Sequence, residues 1–430
     1  MLIRFEVENY RSIASAVELS MVAVDLDRPD VVPVDLLGES LVKVAAIYGP
    51  NASGKSNVAA ALVWLQDAVA TSLKYWDDGI PVDPFAFGNG PGEPTAFTLD
   101  MTVEGVRFEY NLEVDGERVV AESLLHYPNK IRRKVFERDG DEVSFQRGMT
   151  KLPRARDLMT SRTLVVSLAR RFEEPLVERL VQQVLDIGAV GTTLMPKREA
   201  RSLDSFLFEI TDSTLRWLGG NGGGSQYAPW AAGLGVPRDG RAKALALLRL
   251  ADLGIENVQW ERQEVASPLS SENRTVDRLR LLHKLPGASV PLDFEQESKG
   301  TRTWFHLIGP VLRALDQGSL LVFDELDASL HPALSAELIG LFKRQDTNPR
   351  GAQLLFTSHD TSLLAHLNRD EVWLTDKRDD GSTHLGSLAE FAGERVRRSQ
   401  NLEKGYLGGR FGALPQVSPV EFLRALGLVG

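Results

Sequence analysis

The sequence predicts an α/β fold with a mixed or parallel core sheet, an antiparallel β subdomain and a helical insertion that splits the core. Three observations carry that expectation. A mostly apolar run at 41–49 (LVKVAAIYG) feeds straight into a glycine-bearing turn and then an Ala/Leu-rich helix. From 97 to 145 the residues alternate with period two and break at Glu104-Gly105 and Asp115-Gly116, as an antiparallel meander does. From about 155 to 255 the period becomes helical, as in EPLVERLVQQVLDI and RAKALALLRLADLGI.

In chain order, residues 2–9 (LIRFEVEN) alternate as a strand. The strand at 41–49 precedes a helix over 56–73 that is apolar on most sides and meets no Gly or Pro until Gly79. The glycine stretch 219–224 (GGNGGG) reads as a flexible surface loop, since no Lys-Ser/Thr follows it to make a second phosphate site. Residues 258–265 and 277–285 read as strands, 301–315 as a helix, and 319–325 and 352–360 as short buried strands. The expected organisation is a first lobe at 1–150, a helical insertion serving as a short arm or lid at 151–255, and a second lobe at 256–430.

Composition narrows the function classes. The chain has 430 residues, 43% of them hydrophobic and 25% charged, as in ordinary globular proteins. No apolar run approaches the roughly 18 residues of a membrane span, so no membrane role is expected. The opening MLIRFEVENYRS carries Glu6 and Glu8 and reads as a strand, not a secretory signal. With no cysteine, disulfides, zinc–thiolate sites and cysteine nucleophiles are excluded, and a reducing cytoplasm is the expected location. The net charge of −10 argues against a whole-molecule field for nucleic acid. Residues 129–171 nevertheless hold twelve Lys/Arg against five Asp/Glu. That stretch is either a solvated face or a docking patch for nucleic acid or a protein partner.

The chemistry sits in a few short motifs. Gly49, Pro50, Asn51, Ala52, Ser53, Gly54, Lys55, Ser56 and Asn57 have the spacing of a phosphate-binding loop. Gly49 and Gly54 permit the tight turn, and main-chain N–H groups from Asn51 to Ser56 can face the β-phosphate, helped by the start of the following helix. Lys55 would reach the β- and γ-phosphates of ATP, and the Ser56 hydroxyl would ligate Mg²⁺. The apolar run LLVF ends at Asp324 and Glu325, and two adjacent acids at the end of a buried strand are costly without a cation or donors. Asp324 would hold Mg²⁺ and Glu325 would polarise the attacking water. A helix cap by Asp324 or Asp327 is the plainer alternative. His359, after the strand LLFTS, could bond a γ-phosphate, or could cap or pack. Ser298 and Gly300 stand before a helix and offer a second anion site, which makes sense if it serves a nucleotide held by another copy.

In this order the motifs resemble the ABC-type P-loop ATPases of the RecF/SMC/OLD-like group. Residues 49–56 match its Walker A loop, 298–301 (SKGT) its signature, 320–325 its Walker B strand, Leu326-Asp327 its D-loop and His359 its switch histidine. The opening FEVENYRSI looks like the family's first strand, which makes Arg11 a candidate phosphate or base contact. The ending NLEKGYLGGRFGALP, 401–415, resembles stand-alone AAA-family ATPases of anti-phage systems, RloA-, PtuA- and AriA-like. The resemblance implies slow ATP hydrolysis, a head-to-tail dimer or higher homo-oligomer, and a sensor or scaffold that controls an effector in trans, a Toprim-like or HNH nuclease. The signature lacks the paired glycines and glutamine of transporter subunits, Gln66 makes a poor glutamine-loop residue, and the insertion lacks the heptads of a long coiled coil. A RecF-like DNA-repair ATPase and a nucleotide-gated assembly module that hardly turns over remain the alternative readings.

Overall fold

A computed structural model describes residues 1–34, 37–147, 149, 151–191, 194, 213–219, 239–252, 254–266, 273–328, 330–392 and 402–408. Strands are numbered in chain order. The first sheet is antiparallel and joins β1 (Leu2–Glu8) and β2 (Val17–Ser20) to the meander β6 (Thr95–Val103), β7 (Val106–Val114), β8 (Val119–Tyr127), β9 (Arg133–Asp139) and β10 (Glu142–Phe145), in the order β10-β9-β8-β7-β6-β1-β2. The second is the core sheet, made of β5 (Val44–Tyr48), β11 (Gly188–Val190), β15 (Leu320–Phe323), β16 (Gln353–Thr357), β17 (Val372–Lys377) and β18 (Thr383–Ser387). Its order is β11-β15-β16-β5-β17-β18, and only β18 runs antiparallel. A hairpin of β3 (Val32–Val34) and β4 (Glu39–Leu41) and a small sheet of β12 (Ile255–Ala266), β13 (Asn273–Leu285) and β14 (Ala288–Asp293) complete the strands.

The central strands β5 and β15 are fully buried along their length because both of their faces are covered. Along β5, Ala45 and Ile47 point into one hydrophobic cluster, while Val44, Ala46 and Tyr48 point into another. Helix α1 (Lys55–Tyr75) lies in the first cluster together with residues of β1 and the meander. Its Trp64 stacks on Phe97 of β6 at 4.7 Å and donates from Nε1 to the Pro81 carbonyl at 2.8 Å. On the other face lie helices α4 (Gly240–Ala251), α5 (Lys299–Gln317) and α6 (Pro332–Lys343).

The stretch read as wholly helical differs in two respects. Helices α2 (Val165–Arg171) and α3 (Pro175–Leu185) pack against α1 within the first cluster, not away from it, because their apolar stripes join that core. The three residues of β11 then add a strand to the edge of the core sheet, paired in parallel with β15. Strands β14, β17 and β18 were likewise not anticipated. Of the glycine stretch 219–224, only Gly219 is among the described residues, and of the ending 401–415 only 402–408 are. Among the described residues no helix is long and apolar enough to cross a membrane.

Candidate nucleotide-binding site

The sheet order determines where the functional side chains meet. Strand β16 lies between β15 and β5, and all three run parallel. Their carboxyl ends therefore deliver Asp324, His359 and the loop after Tyr48 to one edge, where open α/β sheets bind ligands.

The loop is turned by Gly49 at φ 155° and Gly54 at φ 100°, with Ala52 at φ 63° between them. A Cβ on Gly54 would overlap Thr383 Oγ1, and one on Gly49 would overlap Thr375, so both positions also require the missing side chain. A belt of hydroxyls clamps the turn. Ser53 Oγ donates to the Pro50 carbonyl at 2.8 Å and lies 2.6 Å from Thr375 Oγ1. Thr383 Oγ1 donates to the Ser53 carbonyl at 2.9 Å and lies 2.7 Å from Ser12 Oγ. No side chain caps α1 at Gly54, and the Lys55 and Ser56 N–H groups at its start, which have no acceptor among the described residues, are left for an anion. Lys55 is buried and folds back on the loop, donating from Nζ to the Gly49 carbonyl at 2.9 Å and the Pro50 carbonyl at 3.0 Å. Burial pushes its ammonium below the ordinary lysine value, and the carboxylates of Asp324, Asp327 and Glu325 pull it back up.

The acidic side is built around Thr357. Asp324 is buried, its N–H donates to the Val190 carbonyl of β11 at 2.9 Å, and its Oδ1 accepts from Thr357 Oγ1 at 2.6 Å. The same hydroxyl accepts the Glu325 N–H at 2.8 Å. Glu325 is exposed, its carboxylate makes no hydrogen bond or ion pair among the described residues, and its backbone sits at φ 57°. A left-handed glutamate is costly, and such strain concentrates at functional sites. Asp327 accepts the His359 N–H at 3.1 Å on Oδ1. The His359 imidazole is exposed and makes no hydrogen bond among the described residues, and burial followed by the Lys55 charge lowers its pKa, which keeps it neutral near pH 7.

The remaining sequence-predicted residues fall in three places. Ser56 is half-buried, and its hydroxyl has no partner among the described residues. Asn57 turns aside, donating from Nδ2 to Ser12 Oγ at 2.7 Å. Arg11, at φ 49°, pairs with Asp83 at 3.4 Å and lies 5.2 Å from the Tyr10 ring. Ser298 caps its own helix, accepting the Thr301 N–H at 3.0 Å, and none of its hydrogen bonds reaches loop 49–56. Gly300 lies in the first turn of that helix. Thr357, Thr375, Thr383, Ser12 and Asp83 escaped the sequence reading. Only Thr357 carried a signal, ending β16 two residues before His359.

The donor set fits nucleotide and Mg²⁺. Among the described residues no three His, Asp or Glu side chains cluster as a metal cage. Mg²⁺ takes few protein ligands and completes its shell with phosphate and water, so the Ser56 hydroxyl, unpartnered among the described residues, and the Asp324 carboxylate would suffice to hold it. The basic stretch is less free than its count suggests. Five of its twelve cations, Arg138, Lys151, Arg156, Arg162 and Arg170, donate to main-chain carbonyls and brace the meander and its neighbouring loops.

A glycine loop joining a buried parallel strand to a helix, with two acids ending a strand two places away, defines a P-loop ATPase-type core. Residues 44–365 match the family described as "AAA domain, putative AbiEii toxin, Type IV TA system", and the chain belongs to it. No curated protein matches the chain. Among solved structures it is similar to an SMC head bound to the C-winged helix domain of ScpA, at 13% identity and a TM-score of 0.43, covering 92% of this chain and 99% of that one. The SMC head domain from Thermotoga maritima gives 13% and 0.38 over 90% and 98%. The Pyrococcus furiosus Smc head with an extended coiled coil, bound to the C-terminal domain of ScpA, gives 12% and 0.40 over 90% and 97%.

Proposed function

We propose that this protein binds and hydrolyses ATP, closes head to tail on a second copy while ATP is bound, and through that closure controls a separate effector, a nuclease, in defence against phage. The observation that carries the ATPase reading is the convergence of Lys55, Asp324, Glu325 and His359 at the carboxyl ends of three adjacent parallel strands. Lys55 and the N–H groups of the loop and early α1 would hold the phosphates, and Ser56 and Asp324 would hold Mg²⁺. The metal supplies charge neutralisation on the phosphate oxygens. The Glu325 carboxylate, which has no partner among the described residues, orients a water and accepts its proton as that water's oxygen bonds phosphorus and the terminal phosphoryl group leaves ADP. The neutral His359 can donate one N–H to the developing phosphate charge. Ser298 and Gly300 begin a helix whose first turn can serve an anion, and in the closed pair they would face the partner's nucleotide. The defence role rests on the family description and on the chain's ending.

Phosphate release by the full chain with Mg²⁺ tests the reaction. Lys55→Ala is expected to lose nucleotide binding, whereas Glu325→Gln keeps binding and loses release. Release by Glu325→Gln at the wild-type rate would remove Glu325 from the chemistry.

A further inference from the structure

Thr357 is fully buried at the end of β16, and the pairing of Phe323 with Phe356 sets it beside the step from Asp324 to Glu325. Its hydroxyl has one proton to give. The Glu325 N–H is only a donor, so that proton goes to Asp324 Oδ1, at 2.6 Å, while the hydroxyl oxygen accepts from Glu325 at 2.8 Å. The Thr357 carbonyl then accepts the Leu326 N–H at 3.0 Å. Three successive residues, one of them held at φ 57°, are thus tied to one side chain and its own carbonyl.

We infer that Thr357 is a positioning residue for the proposed hydrolysis, its hydroxyl setting the plane of the Asp324 carboxylate and holding the Glu325 backbone in its left-handed turn. The inference rests on the ATPase reading above. The carboxylate that would hold the metal and the one that would accept the water's proton then keep a fixed spacing. Valine has the same shape without the hydroxyl and leaves Glu325 N–H without this acceptor. Serine keeps the hydroxyl and loses only the methyl.

The test uses full-length Thr357→Val and Thr357→Ser. Losing a hydrogen bond to a charged group costs about ten- to a hundredfold, so Thr357→Val is expected to lose that much kcat. Binding of a fluorescent ATP analogue in EDTA should stay within about twofold of wild type, because uniform binding is untouched. The Mg²⁺ concentration that half-saturates the tightening of analogue binding should rise in Thr357→Val, and Thr357→Ser should restore both the rate and the Mg²⁺ response. Equal rates in Thr357→Val and wild type, or equal losses in the Val and Ser variants, would overturn the inference, the second by assigning the effect to the methyl. If Thr357→Val does not fold, Thr357→Ala against Thr357→Ser makes the same comparison, and equal rates in that pair overturn it. A wild-type chain that releases no phosphate would sink the ATPase reading. The Mg²⁺ response still judges Thr357 in that case, and an unchanged response in Thr357→Val would overturn its role.

Discussion

Gly54→Ala should damage the site through two identifiable neighbours, Thr383 and Ser12. The added methyl would overlap Thr383 Oγ1, lie 2.8 Å from Ser12 Oγ and 2.9 Å from Thr383 Cβ, and have to sit at φ 100°. Holding an alanine in such a backbone region costs about 1–3 kcal/mol. Overpacking against Thr383 and Ser12 adds about 1–3 kcal/mol. Thr383 cannot simply step back, because its hydroxyl holds the Ser53 carbonyl and its N–H donates to the Ser12 carbonyl at 2.7 Å. The expected total is about 2–6 kcal/mol, with weakened nucleotide binding, since the clamp opens where the phosphates would lie. Thr383→Ala removes the overlapping oxygen but leaves the backbone strain and the Cβ contact. The double variant should therefore be more stable than the sum of the single losses by about 1–2 kcal/mol. Denaturant unfolding of the four proteins measures this cycle. Additive losses, or a Gly54→Ala protein as stable as wild type, would refute the clamp as drawn.

Two further predictions follow from groups away from the loop. Asp370 is buried and accepts the Val24 N–H at 2.8 Å, the Asp25 N–H at 3.0 Å and Arg28 at 3.1 Å, so Asp370→Ala should cost about 1–3 kcal/mol by leaving these donors without their acceptor, while Arg28 keeps Asp30 at 3.3 Å. Limited proteolysis should then cut within residues 22–30 first, and a cleavage pattern like that of wild type would contradict it. Burial first, and Arg302 second, push His306 down to about 4, from 6.5 in the unfolded chain. The unfolded state takes the proton first, so stability present above pH 6.5 should drain away as pH falls toward 4, by at most about 3 kcal/mol. His306→Phe, placed among Phe294 and Phe305, should flatten that slope, and an equally steep slope in the variant would contradict the assignment.

Much of the layout was legible because it is written locally. The strand, loop and helix at 41–73 and the meander at 97–145 follow from period, glycine position and turn dipeptides. Strand β11 was not legible, since three residues become a strand only by pairing with β15, far along the chain. The clamp was hidden for the same reason: nothing near Thr375 or Thr383 in sequence shows that β17 and β18 will bring their hydroxyls against Ser53. Thr357 could be seen beside His359, but its hold on Asp324 depends on the register of β15 and β16. Arg11 was singled out for its place in the opening motif, while the Asp83 that engages it emerges only in the folded chain.

The central claim is a nucleotide site shared between two copies, and the solution mass of Glu325→Gln tests it most directly. ATP with Mg²⁺ should raise that mass to twice the chain's or more, and Ser298→Arg in the same background should abolish the rise while ATP still binds. A mass that ignores ATP although ATP binds would contradict the shared site and leave closure within a permanent assembly or a single-chain site.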